Sequence, residues 1–150
     1  MTNTSRKNHK HLVAVTYMSH CLIKPENLDK ECAEIKRIAS AKNSEAEISG
    51  ILILRRGRFI QRLEGEKTAV NQLIDIIEAD KRHRKFTILH FAEISQRYFD
   101  DWSQMQVITE GGGFDELDQL IINLETGNRE VLNDQESRFI VNFIQHYTSP

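Results

Sequence analysis

The sequence predicts an α+β domain of ferredoxin-like topology: a βαββαββ sheet with two helices on one face, followed by two C-terminal helices. Residues 48–66, ISGILILRRGRFIQRLEGE, carry two apolar runs joined across a glycine turn, the pattern of a β-hairpin. Apolar stripes at helical spacing stand before and after that hairpin, and strand-rich runs open the domain and follow the second stripe. A chain of 150 residues is long enough for one domain with a real core. The expected divisions are a disordered leader over 1–11, a folded domain over 12–109 and a helical extension over 110–150.

The first strand is LVAVTY, whose alternation puts Val13, Val15 and Tyr17 on one face and leaves the tyrosine hydroxyl needing a partner at the strand end. Pro25 fits the first turn of a helix striped by Leu28, Cys32, Ile35 and Ala39, which is expected to end near Lys42 with Asn43 as a cap residue. In the second arm of the hairpin Phe59, Gln61 and Leu63 share one face, and Ile60, Arg62 and Glu64 share the other. Gln61 therefore sits on an apolar face, where unmet amide groups cost about 1–3 kcal/mol each. Either a neighbouring protein group or a ligand must satisfy it.

Val70, Leu73, Ile74 and Ile77 stripe a second helix, and Asp80-Lys81-Arg82-His83 closes it as a charged loop. FTILHFAEI and DWSQMQVI supply the last two strands, and Gly111-Gly112-Gly113 forms a flexible link. Phe114, Leu117, Ile121 and Leu124 stripe the next helix. Asn133 and Glu136 open the last one as a capping box, and its face of Phe139, Ile140, Phe143, Ile144 and Tyr147 must be covered by the sheet or by another chain.

Composition narrows the function. No apolar run approaches the ~20 residues of a membrane span, and the N-terminus lacks a hydrophobic signal region, so a cytoplasmic location away from membranes is expected. Cys21 and Cys32 form no disulfide or zinc pattern, and His9 and His11 in the polar leader do not make a metal site. Arg55, Arg56 and Arg58 cluster at the hairpin tip without aromatic interleaving, which gives no support for nucleic-acid binding. From Glu110 onward eight acids face only Arg129 and Arg138, a solvated acidic surface.

The wording G-I-x-x-x-x-G-x-F-I-Q-x-L-E-G-E, about forty-five residues after a Tyr-x-Ser, resembles the core motif of BLUF domains, the flavin-binding blue-light sensors. The resemblance covers residues 12 to about 108, and the terminal helical pair is similar to that of short, stand-alone members. It implies that Tyr17 is the light-active tyrosine, Gln61 the switching glutamine, Asn43 the partner of the flavin's polar edge, and Asp80, Arg82 and His83 the loop beside the cofactor. It also implies apolar walls from Ile35, Ile48, Leu52, Phe59 and Ile77, with Lys42 next to the binding asparagine and Trp102, Gln104 and Met105 in the output strand. The implied cofactor is a flavin, FAD first with FMN and riboflavin as alternatives.

The implied role is a photoreceptor rather than an enzyme, signalling through the last strand and terminal helices to a homo-oligomer or a separate effector protein. Four features depart from the family pattern. Lys42 stands where many members have a second asparagine, Ile76 where several have a basic or polar residue, and Gln104 in a methionine slot that leaves Met105 on the opposite strand face. The Tyr17-to-Asn43 segment is two residues longer than is common. Two other functions compete: a flavin-less interaction module, and a small acylphosphatase-like enzyme using Arg62 or Asn43, for which no phosphate cradle is visible.

Overall fold

The computed structural model describes residues 11–99, 106–108 and 113–147, with the backbone alone at 40, 42–44 and 106–108. The elements are β1 (Leu12–Cys21), a 3-10 turn (Pro25–Asn27), α1 (Leu28–Ala46), β2 (Ser49–Arg55), β3 (Arg58–Glu66), α2 (Lys67–Glu78), β4 (His83–Glu93), β5 (Gln106–Ile108), α3 (Asp115–Thr126) and α4 (Asp134–His146). The order is the βαββαββ the sequence predicts, followed by two helices. In the sheet β4, β1, β3 and β2 lie side by side with antiparallel neighbours, and β5 adds to β2 in parallel.

The hairpin turns at Arg56 and Gly57, with φ of 49° and 75°, and Arg55 pairs with Arg58 across it. Two successive left-handed residues match the right-handed twist of the flanking strands. The first helix runs past its expected end at Lys42, so Asn43 lies within its last turns and not at a cap. Ala46 and Glu45 are good helix formers, and the chain leaves the helix at Glu47, whose φ is 56°. His83 begins β4, not the loop the sequence indicates.

Both faces of the sheet are covered. On one, Val13, Val15, Tyr17, Ile48 and Leu63 pack against Val70 and Ile74 of α2, while Leu52, Leu54 and Phe59 pack against Cys32, Leu28 and Ile35 at α1. On the other, Met18, Ile51, Ile53 and Ile60 meet Phe114, Leu117, Ile121, Ile140 and Ile144 of the terminal helices. The apolar stripe of α4 is therefore covered by its own sheet. Among the described residues no helix is long and apolar enough to cross a membrane.

The β4 edge of the sheet carries two irregularities against β1, between Thr16 and Tyr17 and between Met18 and His20. They interrupt the every-second-residue alternation of β4 between Arg84 and His90.

An ion pair docks α3 onto the hairpin. Arg55 donates from Nε and Nη2 to Asp118 at 2.8 and 2.9 Å, and its guanidinium lies 4.8 Å from the Phe114 ring centroid. The hydrogen bond from Arg55 holds the Asp118 carboxyl below its ordinary 3.8, against the opposing effect of burial. A depressed folded value adds stability at pH above 3.8 and gives it up as pH falls through the folded value. Asp118→Asn is expected to cost about 1–2 kcal/mol at neutral pH. Urea titrations should show that deficit shrinking in strong acid; a deficit independent of pH would remove the pair from the account.

Candidate functional site

The residue of interest on β3 is Gln61, because strand alternation points it with Phe59 toward the helices α1 and α2. The helices leave a cleft between them, whose enclosed part holds about 150 Å³ and opens to solvent, so a larger flat group would extend outward between the helices. Ile35, Ile38 and Ala39 of α1 and Leu73, Ile76 and Ile77 of α2 form its walls. Tyr17, Leu52, Phe59 and Gln61 form its floor, and Asp80, Arg82 and His83 line one end.

Tyr17 and Gln61 are register partners on β1 and β3. That pairing brings the phenol to the amide: the Tyr17 hydroxyl donates to Gln61 Oε1 at 2.5 Å, with both residues buried. Burial, and then the nearby Asp80 carboxylate, push the Tyr17 phenol well above its ordinary range. The phenol is therefore held protonated at physiological pH, with its proton aimed at one acceptor.

The polar end is built by short-range geometry. Asp80 accepts from the Arg82 backbone N–H at 2.8 Å and from Arg82 Nη2 at 2.6 Å, so the guanidinium beside it holds the Asp80 carboxyl below its usual range despite partial burial. Glu31 of α1 reaches the same guanidinium at 3.8 Å. His83 Nε2 lies 2.6 Å from the Ile77 carbonyl, and Nδ1 lies 2.7 Å from the Ser19 hydroxyl. Because a carbonyl only accepts, Nε2 carries the proton, and in the neutral ring Nδ1 accepts from Ser19. His83 thereby pins the end of α2 to β1, and Phe86 packs its ring 4.7 Å from that of Tyr17.

Of the residues singled out from sequence, Tyr17, Ile35, Leu52, Phe59, Gln61, Ile77, Asp80, Arg82 and His83 meet in this one cleft. Ile48 does not reach it: it lies just before β2, 1% exposed, and packs in the core behind Tyr17 with Val13, Leu63 and Val70. The Lys42 and Asn43 side chains, and Trp102, Gln104 and Met105, fall outside the described residues. Arg62 is unavailable as an anion holder, being 2% exposed and paired with Glu64 on the opposite sheet face.

Sequence reasoning missed Ile38 as a cleft wall and placed Ala39 and Leu73 on helix stripes without assigning them to the cleft. Ile38 stands next to Ala39, and a wide apolar arc was the available signal. Ile76, noted from the resemblance as a departure near the phosphates, lines the cleft as well. Ile76 is 61% exposed at the rim, an apolar contact that the protein itself does not cover.

Apolar walls facing one another across a slot, one amide on the floor and a polar end fit a flat aromatic heterocycle with hydrogen-bonding edges. A larger cleft of about 630 Å³ lies between β4 and α4, lined in part by Met18, Ile88, Glu130, Val131, Asp134 and Arg138. Its Glu130, Asp134 and Arg138 are exposed, whereas the smaller cleft holds a buried tyrosine and amide among apolar walls, so chemistry points to the smaller one.

Comparison with known proteins agrees with this geometry. The family model for sensors of blue-light using FAD, BLUF, matches residues 12–105. The photoactivated adenylate cyclase subunit alpha of Euglena gracilis is 37% identical over 99 residues, covering 66% of this chain and 10% of that protein. The subunit beta of the same organism is 36% identical over 93 residues, covering 61% and 11%. The chain thus spans about a tenth of the length of these relatives.

Among solved structures, BlsA in its photo-activated state has a TM-score of 0.71 at 26% identity, covering 93% of this chain and 98% of the other. BlrB, described as a BLUF protein in its dark state, has a TM-score of 0.62 at 27% identity, covering 89% and 98%. With the match running from β1 to just short of β5 and the cleft formed inside it, this chain belongs to the BLUF family of flavin-binding blue-light sensors.

Proposed function

We propose that this chain is a blue-light receptor that binds oxidised FAD in the cleft between α1 and α2, and that Tyr17 and Gln61 carry out its light reaction. The observation that carries the reading is the 2.5 Å hydrogen bond from the buried Tyr17 hydroxyl to Gln61 Oε1 on the floor of an apolar slot. Ile35, Ile38, Leu73 and Ile77 would hold the ring, with Gln61 and the Asp80 end beside its polar edges.

Bound flavin would supply absorption of blue light and, once excited, a strong electron acceptor. Tyr17 is placed to act as the electron donor, with its proton held on the existing hydrogen bond to Gln61 Oε1. Return of the electron and the proton to the phenol would leave no net oxidation. Gln61 would be the group left rotated or tautomerised, since an amide can exchange donor and acceptor by such a change. The output is a contact with a separate effector protein or a second copy of the chain, reached through the last strand and α3 and α4.

The test is an absorption spectrum before and after blue light. The purified protein should be yellow, shift to the red on illumination and recover in the dark. Tyr17→Phe should keep the colour and lose the shift. A colourless protein that takes up no added FAD would defeat the reading. A Tyr17→Phe variant that photoconverts normally would remove Tyr17 as the donor.

A further inference from the structure

The strand that carries Gln61 on one face carries a second polar cluster on the other. Arg62 and Glu64 face the side of the sheet covered by α3 and α4, and they are 2% and 0% exposed. Arg62 Nε donates to Glu64 Oε2 at 2.9 Å. A buried ion pair is a poor source of stability, because apolar residues of similar volume hold a core as well or better. Its retention on the central strand calls for another use.

That use is visible in what else Glu64 holds. Its Oε1 accepts from the backbone N–H groups of Tyr98 and Phe99, at 2.9 and 2.8 Å. Its main-chain carbonyl accepts from Arg97 Nη1 at 2.9 Å, which also donates to Ser49 Oγ at 3.0 Å. Arg97 Nη2 donates to the Glu47 carbonyl at 2.6 Å, and the Arg62 guanidinium lies 5.4 Å from the Tyr98 ring centroid. Residues 97–99 follow β4, lie in no helix or strand, and leave Tyr98 53% exposed. Two of their backbone N–H groups are tied to the sheet through this one carboxylate, beside the Arg97 hydrogen bonds and the packing of Phe99 against the core under the terminal helices.

We infer that Glu64 is the latch through which a change at Gln61 reaches the segment after β4: a positioning residue that fastens residues 97–99 to β3 in the dark and releases them in the light. Gln61 and Glu64 are three residues apart on one unbroken strand, so a displacement of β3 by the rearranged amide moves the carboxylate on its far face. Two charge-assisted hydrogen bonds to backbone N–H groups are directional, and a small shift or tilt of the acceptor weakens both together. This inference rests on the photoreceptor reading above.

Amide hydrogen exchange resolved by NMR, on the flavin-loaded full chain in the dark and under blue light, tests it. The Tyr98 and Phe99 amides should exchange slowly in the dark and at least about fivefold faster under light, the low end of typical coupling between sites. Glu64→Gln should keep the red shift but raise dark exchange at these amides and abolish most of the light-induced increase. If burial makes that variant fold poorly, Arg97→Met, at the surface end of the cluster, should raise dark exchange at the same amides with the red shift intact. A protein that shows the red shift but exchanges Tyr98 and Phe99 equally in dark and light overturns the latch. A protein with no red shift overturns the photoreceptor reading itself and the latch with it.

Discussion

Gln61→Leu leaves a yellow protein that no longer shifts to the red under blue light. The cleft is mostly apolar, and leucine occupies nearly the volume of glutamine, so the walls from α1 and α2 still hold a flat ring. What disappears is the acceptor at 2.5 Å from the Tyr17 hydroxyl, and with it the route for the proton and the amide whose two ends can trade places. The red shift should fall from its full value to nil, because leucine has no second hydrogen-bonding state.

The substitution also strands a buried hydroxyl. With the Tyr17 side chain 4% exposed, an unmet O–H costs about 1–3 kcal/mol, which a urea titration would read as a lowered midpoint. Spectrum and stability can therefore be separated. A variant that remains folded, yellow and fully photoactive would show that the switching group lies elsewhere.

Gly50→Ala is the largest structural effect expected. A Cβ at Gly50 would lie 2.0 Å from the Arg62 carbonyl oxygen and 3.2 Å from Leu63 Cα, and the residue sits at φ 157°. The obstruction is backbone, so no side-chain rotation relieves it. β2 must separate from β3 at the Gly50–Leu63 pair, and the neighbouring pairs Ile51–Arg62 and Leu52–Gln61 are disturbed with it. The cost should be about 3 kcal/mol or more, at the upper end for overpacking, and flavin affinity should fall because Leu52 and Gln61 form the cleft floor. An alanine variant with unchanged denaturation midpoint and unchanged colour would contradict the close approach of the two strands.

The two substitutions act at different levels of the same hairpin. Gln61 is dispensable to the pairing of β3 and decides its chemistry; Gly50 contributes no chemistry and decides whether β2 and β3 can approach closely enough to place Gln61. The terminal helices show a similar division. Their apolar stripes were legible from spacing alone, whereas their placement over Met18, Ile51, Ile53 and Ile60 depends on how far the sheet's second face is left uncovered.

The sequence by itself determined the order of elements, the two faces of β3 and the stripes of all four helices. These features follow from periodicity, which is local and survives in any register, whereas nine of the residues lining the cleft were implied only by the resemblance to BLUF domains. Only the tertiary structure decided that Ile48 turns into the core while Ile38 faces the cleft, because that depends on how deeply α1 and α2 settle on the sheet. It alone brought Tyr17 opposite Gln61, 44 residues away, and Glu64 under Tyr98 and Phe99, 34 and 35 residues away. Hydrogen bonds between distant residues depend on strand register and chain path, and neither is written in the spacing of residues along a single strand.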